Sequence, residues 1–90
     1  MFEIIISEEF KKRFEELPKN VKKKFFRKIK IFNQNPYHPI LNAEKLGPPF
    51  KNIWSFRIDR SYRVIFKFVK ERKILFITCG HHSWICKFKF

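Results

Sequence analysis

Residues 53–82 read IWSFRIDRSYRVIFKFVKERKILFITCGHH, and this stretch decides the fold. Trp54, Phe56 and Ile58 alternate with Ser55 and Arg57, the period-two pattern of a half-buried strand. Asp59, Arg60 and Ser61 supply a tight connection, since Asp and Ser favour turns. Tyr62, Val64, Phe66 and Phe68 then fall on one face of a second strand, with Arg63, Ile65, Lys67 and Val69 on the other. Glu71 and Arg72 make the next turn. The run KILFITC (73–79) is almost wholly apolar, as expected of a strand inside a sheet.

Working outward, the segment FEIII at 2–6 predicts another short strand. Ser7 is suited to cap a helix whose first turn carries Glu8 and Glu9, acids that complement the helix dipole. Phe10, Phe14 and Leu17 follow at helical spacing, and Pro18 closes this helix and can open a second. Val21, Phe25, Ile29 and Phe32 continue an apolar stripe to about Gln34, with Lys and Arg on the opposite side. The expectation is an α+β fold of order β-α-α-β-β-β, an antiparallel sheet packed against an N-terminal helical hairpin. Residues 35–52 hold four of the five prolines and show no period. Leu41, Leu46 and Phe50 are expected to pin this long connection to the core.

The 90 residues make one domain, 1–90. Its economical core draws on 13 Phe, 2 Trp and 2 Tyr. A net charge of +13 (21 Lys and Arg against 8 Asp and Glu) favours a polyanionic partner, nucleic acid first and an acidic protein second. Two cysteines are too few for a secreted disulfide scaffold, and no apolar run approaches a membrane span or a signal peptide. The expected setting is therefore cytoplasmic, with no membrane partner. With only 2 Gly in the chain, Gly80 before the histidines stands out as a candidate for a position that needs positive φ.

Arg57, Arg60, Arg63, His81 and His82 fall within 26 residues. Guanidiniums with imidazoles suit a site that holds a phosphate and moves a proton near neutral pH. If the first two strands pair as a hairpin, Arg57 and Arg63 project from one face and can clamp one phosphate. Arg60, in the turn, is either ordinary surface or a nucleic-acid contact. Lys23, Lys24 and Arg27 form either a solvated helix face or a surface for RNA or an acidic partner. Trp84 either stacks on a base or packs on the sheet, whereas Trp54 and Phe56 belong to the core and His38 carries no expected role. Cys79, His81, His82 and Cys86 are zinc-ligand types, but C-x-H-H-x₃-C is not the paired spacing of structural zinc sites. Two buried thiols and no cofactor are expected.

The two amphipathic helices, the phrase NPYHP, the KLG, then WSFRIDRSYRVIF and the final GHHSWIC resemble, in this order and over the whole chain, the RelE/ParE toxin superfamily. That resemblance implies a growth-arresting toxin of a type II toxin–antitoxin pair, often linked to plasmid stabilisation. The toxin is held in a hetero-oligomer by a cognate acidic, RelB-like antitoxin. RelE-like members are mRNA interferases, ribosome-dependent endoribonucleases that cut through the RNA 2′-hydroxyl without metal; ParE-like members poison DNA gyrase. By position, the resemblance assigns catalytic work to Arg57, Arg63, His82 and His81; by their charge and chemistry, Arg60, Lys23, Lys24, Arg27 and Trp84 are the candidate nucleic-acid contacts. Cys86 falls where active members carry a tyrosine that orients or activates substrate. This departure implies a weakened nuclease, or a ParE-like or binding-only alternative.

Overall fold

A computed structural model of the chain describes residues 2–46 and 52–85. Its elements are β1 (Glu3–Ile6), α1 (Glu8–Glu15), α2 (Lys19–Gln34), a 3₁₀ turn (Pro39–Leu41), β2 (Glu44–Lys45), β3 (Ile53–Arg57), β4 (Tyr62–Lys70), β5 (Lys73–His81) and α3 (His82–Ile85). The α+β order is the expected one, with β2 and α3 added. Both are single short pieces, too brief to leave a period in the sequence.

The five strands form one sheet in the order β1-β5-β4-β3-β2. β3, β4 and β5 pair antiparallel through the two expected turns. β1 instead pairs parallel with β5, from Glu3 opposite Lys73 to Ile6 opposite Phe76, so the sheet is mixed rather than wholly antiparallel. The reason is connectivity. Parallel neighbours need a long crossover, and both helices and three strands lie between β1 and β5.

The helical hairpin covers one face of the sheet. Ser7 caps α1 by accepting the Phe10 N–H at 3.0 Å, and its own hydroxyl donates to the Ile77 carbonyl at 2.7 Å. One side chain thereby starts the helix and fastens it to β5. Pro18 takes the N-cap position of α2. Phe32 sits at the centre of the core, its ring 5.0 Å from Phe56, 5.1 Å from Phe66 and 5.5 Å from Phe76. These apolar faces meet because α2 repeats at 3.6 residues and each strand at two.

The opposite face carries a second, smaller cluster of Ile53, Ile65 and Ile85, flanked by Leu46 and Ile77. Ile85 belongs to α3, so the end of the described chain folds back under the face that bears Arg57 and Arg63. Leu41 is buried as expected and Leu46 joins this second cluster, whereas Phe50 lies outside the described residues. Among the described residues no helix is long and apolar enough to cross a membrane.

Candidate functional site

Arg57 and Arg63 are directly opposite one another in the β3–β4 ladder, and Arg63 is in turn opposite Gly80 on β5. The three residues form one row across the sheet, on the face away from the helices. Each arginine is half-buried, and the Nε atoms of both are buried without a hydrogen-bond partner among the described residues. Such an arrangement opposes folding twice. Like charges directly opposite on a sheet destabilise it, and a buried donor left unpaired costs about 1–3 kcal/mol. Two carboxylates near this end of the sheet are engaged with other cations, Glu9 with Arg13 at 2.8 Å and Asp59 with Lys24 at 3.2 Å. What the row can do is accept an anion between two guanidiniums.

Gly80 completes the row, for a reason the composition did not reveal. Among the described residues no glycine has positive φ, so the expectation of a special backbone conformation at Gly80 is corrected. Gly80 carries no Cβ, which would project beside Arg63 on the arginine face.

The next rows supply the imidazoles. Tyr62 is opposite His81, their rings edge-to-face at 5.3 Å, and the His82 N–H donates to the Ser61 carbonyl at 2.7 Å. The two histidines stack at 4.6 Å. His81 Nδ1 accepts the Ser83 N–H at 3.1 Å and lies 2.8 Å from the Ser83 hydroxyl, so its neutral ring carries the proton on Nε2. His82 is exposed at the start of α3. Neither contact of Ser83 was expected; its position two residues after a histidine was the available signal.

The turn between the arginines is built by Asp59. Its Oδ1 accepts the N–H groups of Ser61 (2.8 Å) and Tyr62 (2.9 Å), while Oδ2 takes the Lys24 ammonium. Burial pushes this carboxyl up, but the two N–H donors and the ammonium outweigh it, and its pKa lies below the ordinary 3.8. Lys24, expected among the nucleic-acid contacts, thus braces the turn. Lys23 and Arg27 are exposed on α2 and Arg60 is exposed on the turn. Trp84 stands on α3, its side chain outside the description, and Cys86 lies outside the described residues. Cys79 is fully buried, and burial foremost, with Glu9 nearby, raises its pKa to about 12. It is therefore a neutral, inert thiol at neutral pH, as its apolar position on β5 suggested. Among the described residues no group of three metal-ligating side chains forms.

Residues 4–85 match the family described as the ParE toxin of type II toxin–antitoxin systems, parDE. The chain belongs to this family. It is a toxin of the RelE/ParE superfamily. A YoeB/ParE toxin from Agrobacterium tumefaciens has the same fold, with a TM-score of 0.75 at 16% identity over 90% of this chain and 99% of that one. In the RelB-RelE antitoxin–toxin complex from Methanococcus jannaschii, the matching chain superimposes with a TM-score of 0.74 at 20% identity, covering 92% of this chain and 95% of that one. The YoeB dimer from Staphylococcus aureus gives 0.73 at 22% identity, with 90% and 97% covered. At such identities these likenesses establish the architecture alone. No curated protein matches the chain.

Proposed function

We propose that this ParE-family toxin is a RelE-like, ribosome-dependent mRNA endoribonuclease of the cytoplasm that cuts without metal. The observation that carries this is the row of Arg57, Arg63 and Gly80: two opposed guanidiniums with orphaned Nε atoms beside a position that has no side chain. In the reaction a general base takes the 2′-hydroxyl proton and the freed oxygen attacks the adjacent phosphorus. The bond to the 5′-oxygen then breaks and a general acid protonates that oxygen. The products are a 2′,3′-cyclic phosphate and a 5′-hydroxyl. Arg57 and Arg63 offset the charge gathering on the non-bridging oxygens. His82 and His81 are the imidazoles for proton transfer. Arg60, Lys23, Arg27 and Trp84 contact RNA, and Lys24 contributes through the turn it braces. Cys86, standing in the tyrosine position, holds the rate below that of tyrosine-bearing members, so Cys86→Tyr should raise it.

The toxin's partner is an acidic antitoxin, as RelB is paired with RelE from Methanococcus jannaschii and YefM with YoeB from Staphylococcus aureus. A surface of net charge +13 suits such a partner as well as RNA. The test is a translating extract stalled with a defined codon in the A site. Wild type should give codon-phased cuts, and Arg63→Ala should slow them by about 10²-fold or more. An extract in which mRNA stays intact sinks the proposal.

A second reading is favoured by the family match itself, which is to the ParE model. A ParE-like toxin, or one acting by binding only, would arrest growth with mRNA intact. Gyrase poisoning would add DNA-damage induction and loss of supercoiling.

A further inference from the structure

A cleft of about 230 Å³ lies on the other side of the β5 end from the arginine row. Arg13, Glu16, Leu17 and Pro18, in and after the last turn of α1, line one side; Tyr62, Cys79, Gly80 and His81 line the other. It is smaller than the roughly 300–1,000 Å³ of sites for drug-sized ligands, and its scale is that of a single planar group. We propose that this cleft is a nucleobase subsite beside the phosphate clamp, selective for guanine. The inference rests on the nuclease reading above and names the base that site would take.

Register supplies the first argument. Gly80, on the floor of the cleft, is the cross-strand partner of Arg63, and His81 is the partner of Tyr62, the neighbour of Arg63. A phosphate on the arginines and a base in the cleft would thus lie on either side of one strand end. The walls supply the second. His81 and Tyr62 offer aromatic faces on which a base can stack, and Leu17 with Pro18 closes the far side with apolar surface. Among the described residues the pairing of β1 with β5 stops at Ile6 opposite Phe76, so the β1-side edge of Cys79–His81 has no strand partner there.

Charge supplies the third argument and selects the base. Glu16 is a carboxylate at the rim of the cleft, beside Arg13, with a side chain that is 59% exposed. Its contact with Arg13 is 3.5 Å, at the limit of a hydrogen bond, whereas Glu9 holds the same arginine at 2.8 Å. A carboxylate repels phosphate but accepts hydrogen bonds from bases. Guanine alone offers it two parallel donors, N1–H and the 2-amino group, in the bidentate geometry a carboxylate prefers.

The test uses the full-length toxin and labelled 2′-O-methyl trinucleotides, which cannot be cut, with affinities read by fluorescence anisotropy. A trinucleotide with one guanine should bind at least about fivefold tighter than the same sequence with inosine, which lacks the 2-amino group. In Glu16→Gln the guanine-to-inosine ratio should fall to about one. Arg63→Ala should weaken guanine, inosine and all-uridine trinucleotides alike. Equal binding of the three by wild type, with Arg63→Ala still weakening all of them, overturns the subsite and leaves the nuclease reading standing. An Arg63→Ala protein that binds all three as well as wild type overturns both.

Discussion

Two arginines facing each other across a hairpin carry a stability cost that a bound anion would offset. Like charges at directly opposed positions lose about 0.2–1 kcal/mol, and each buried orphan Nε adds to that. Replacing Arg63 by Met keeps an extended side chain on the strand and removes the like-charge opposition and one of the two orphaned Nε atoms. The expected outcome is a melting temperature raised by several degrees, since about 1 kcal/mol moves a domain of this size by roughly 4–8 °C. RNA binding should collapse in the same variant, the usual exchange of function for stability at a strained site. Gly80→Ala gives the complementary result. Its φ is not positive, so the backbone tolerates alanine, and stability should hold or rise by about 0.4–1 kcal/mol. The added methyl crowds the clamp, and cleavage should fall about 10- to 100-fold, since small displacements at a reacting centre are felt that strongly. Calorimetry and a cleavage assay on one preparation check both halves. At this scale the sequence was a partial guide. Odd spacing about a turn brought Arg57 and Arg63 to one face, but glycine scarcity suggested a positive φ at Gly80 that the structure does not have.

The element that spaces the arginines is the turn at Asp59–Ser61, and its bonds make it acid-sensitive. The carboxyl of Asp59 has a folded-state pKa below its ordinary value, as does Glu9, held down first by the Arg13 hydrogen bond. A depressed carboxylate contributes stability above its unfolded pKa and loses it as pH falls through the folded one. Melting temperature should therefore be level above about pH 5 and decline below about pH 4. Asp59→Asn keeps an oxygen for the Ser61 and Tyr62 N–H groups but loses the charge facing Lys24. It should melt lower than wild type at pH 7, and the difference should shrink toward pH 3. A constant difference across that range would show that the charge is not what braces the turn. Asp and Ser announced this turn from the sequence, because their side chains act within three residues. The Lys24 contact did not show, because its partners stand 35 residues apart. The parallel pairing of β1 was hidden for the same reason: a four-residue apolar run looks alike in either direction.

Over the whole molecule, a small aromatic core must hold together a surface of net charge +13. Phe32, fully buried among Phe56, Phe66 and Phe76, joins the helical layer to the sheet. Phe32→Ala should cost about 3–5 kcal/mol, a large share of the roughly 5–15 kcal/mol available to a domain, and leave little folded protein at 37 °C. Thermal melting of the purified variant checks this. The same charge that strains the fold gives binding a measurable signature. Each phosphate neutralised on single-stranded RNA adds about −0.7 to the slope of log affinity against log salt. Removing both Arg57 and Arg63, which clamp one phosphate, should reduce the slope by about 0.7. Charge reversal at exposed Lys23 and Arg27 should lower the slope as well, but leave the cut position unchanged, because an exposed lysine raises local RNA concentration without orienting the scissile bond. If the Arg57 and Arg63 substitutions abolished cutting with the slope unaltered, the arginines would be structural and the phosphate would lie elsewhere. A loss of cutting together with a shallower slope ties the orphaned guanidiniums to the RNA backbone itself.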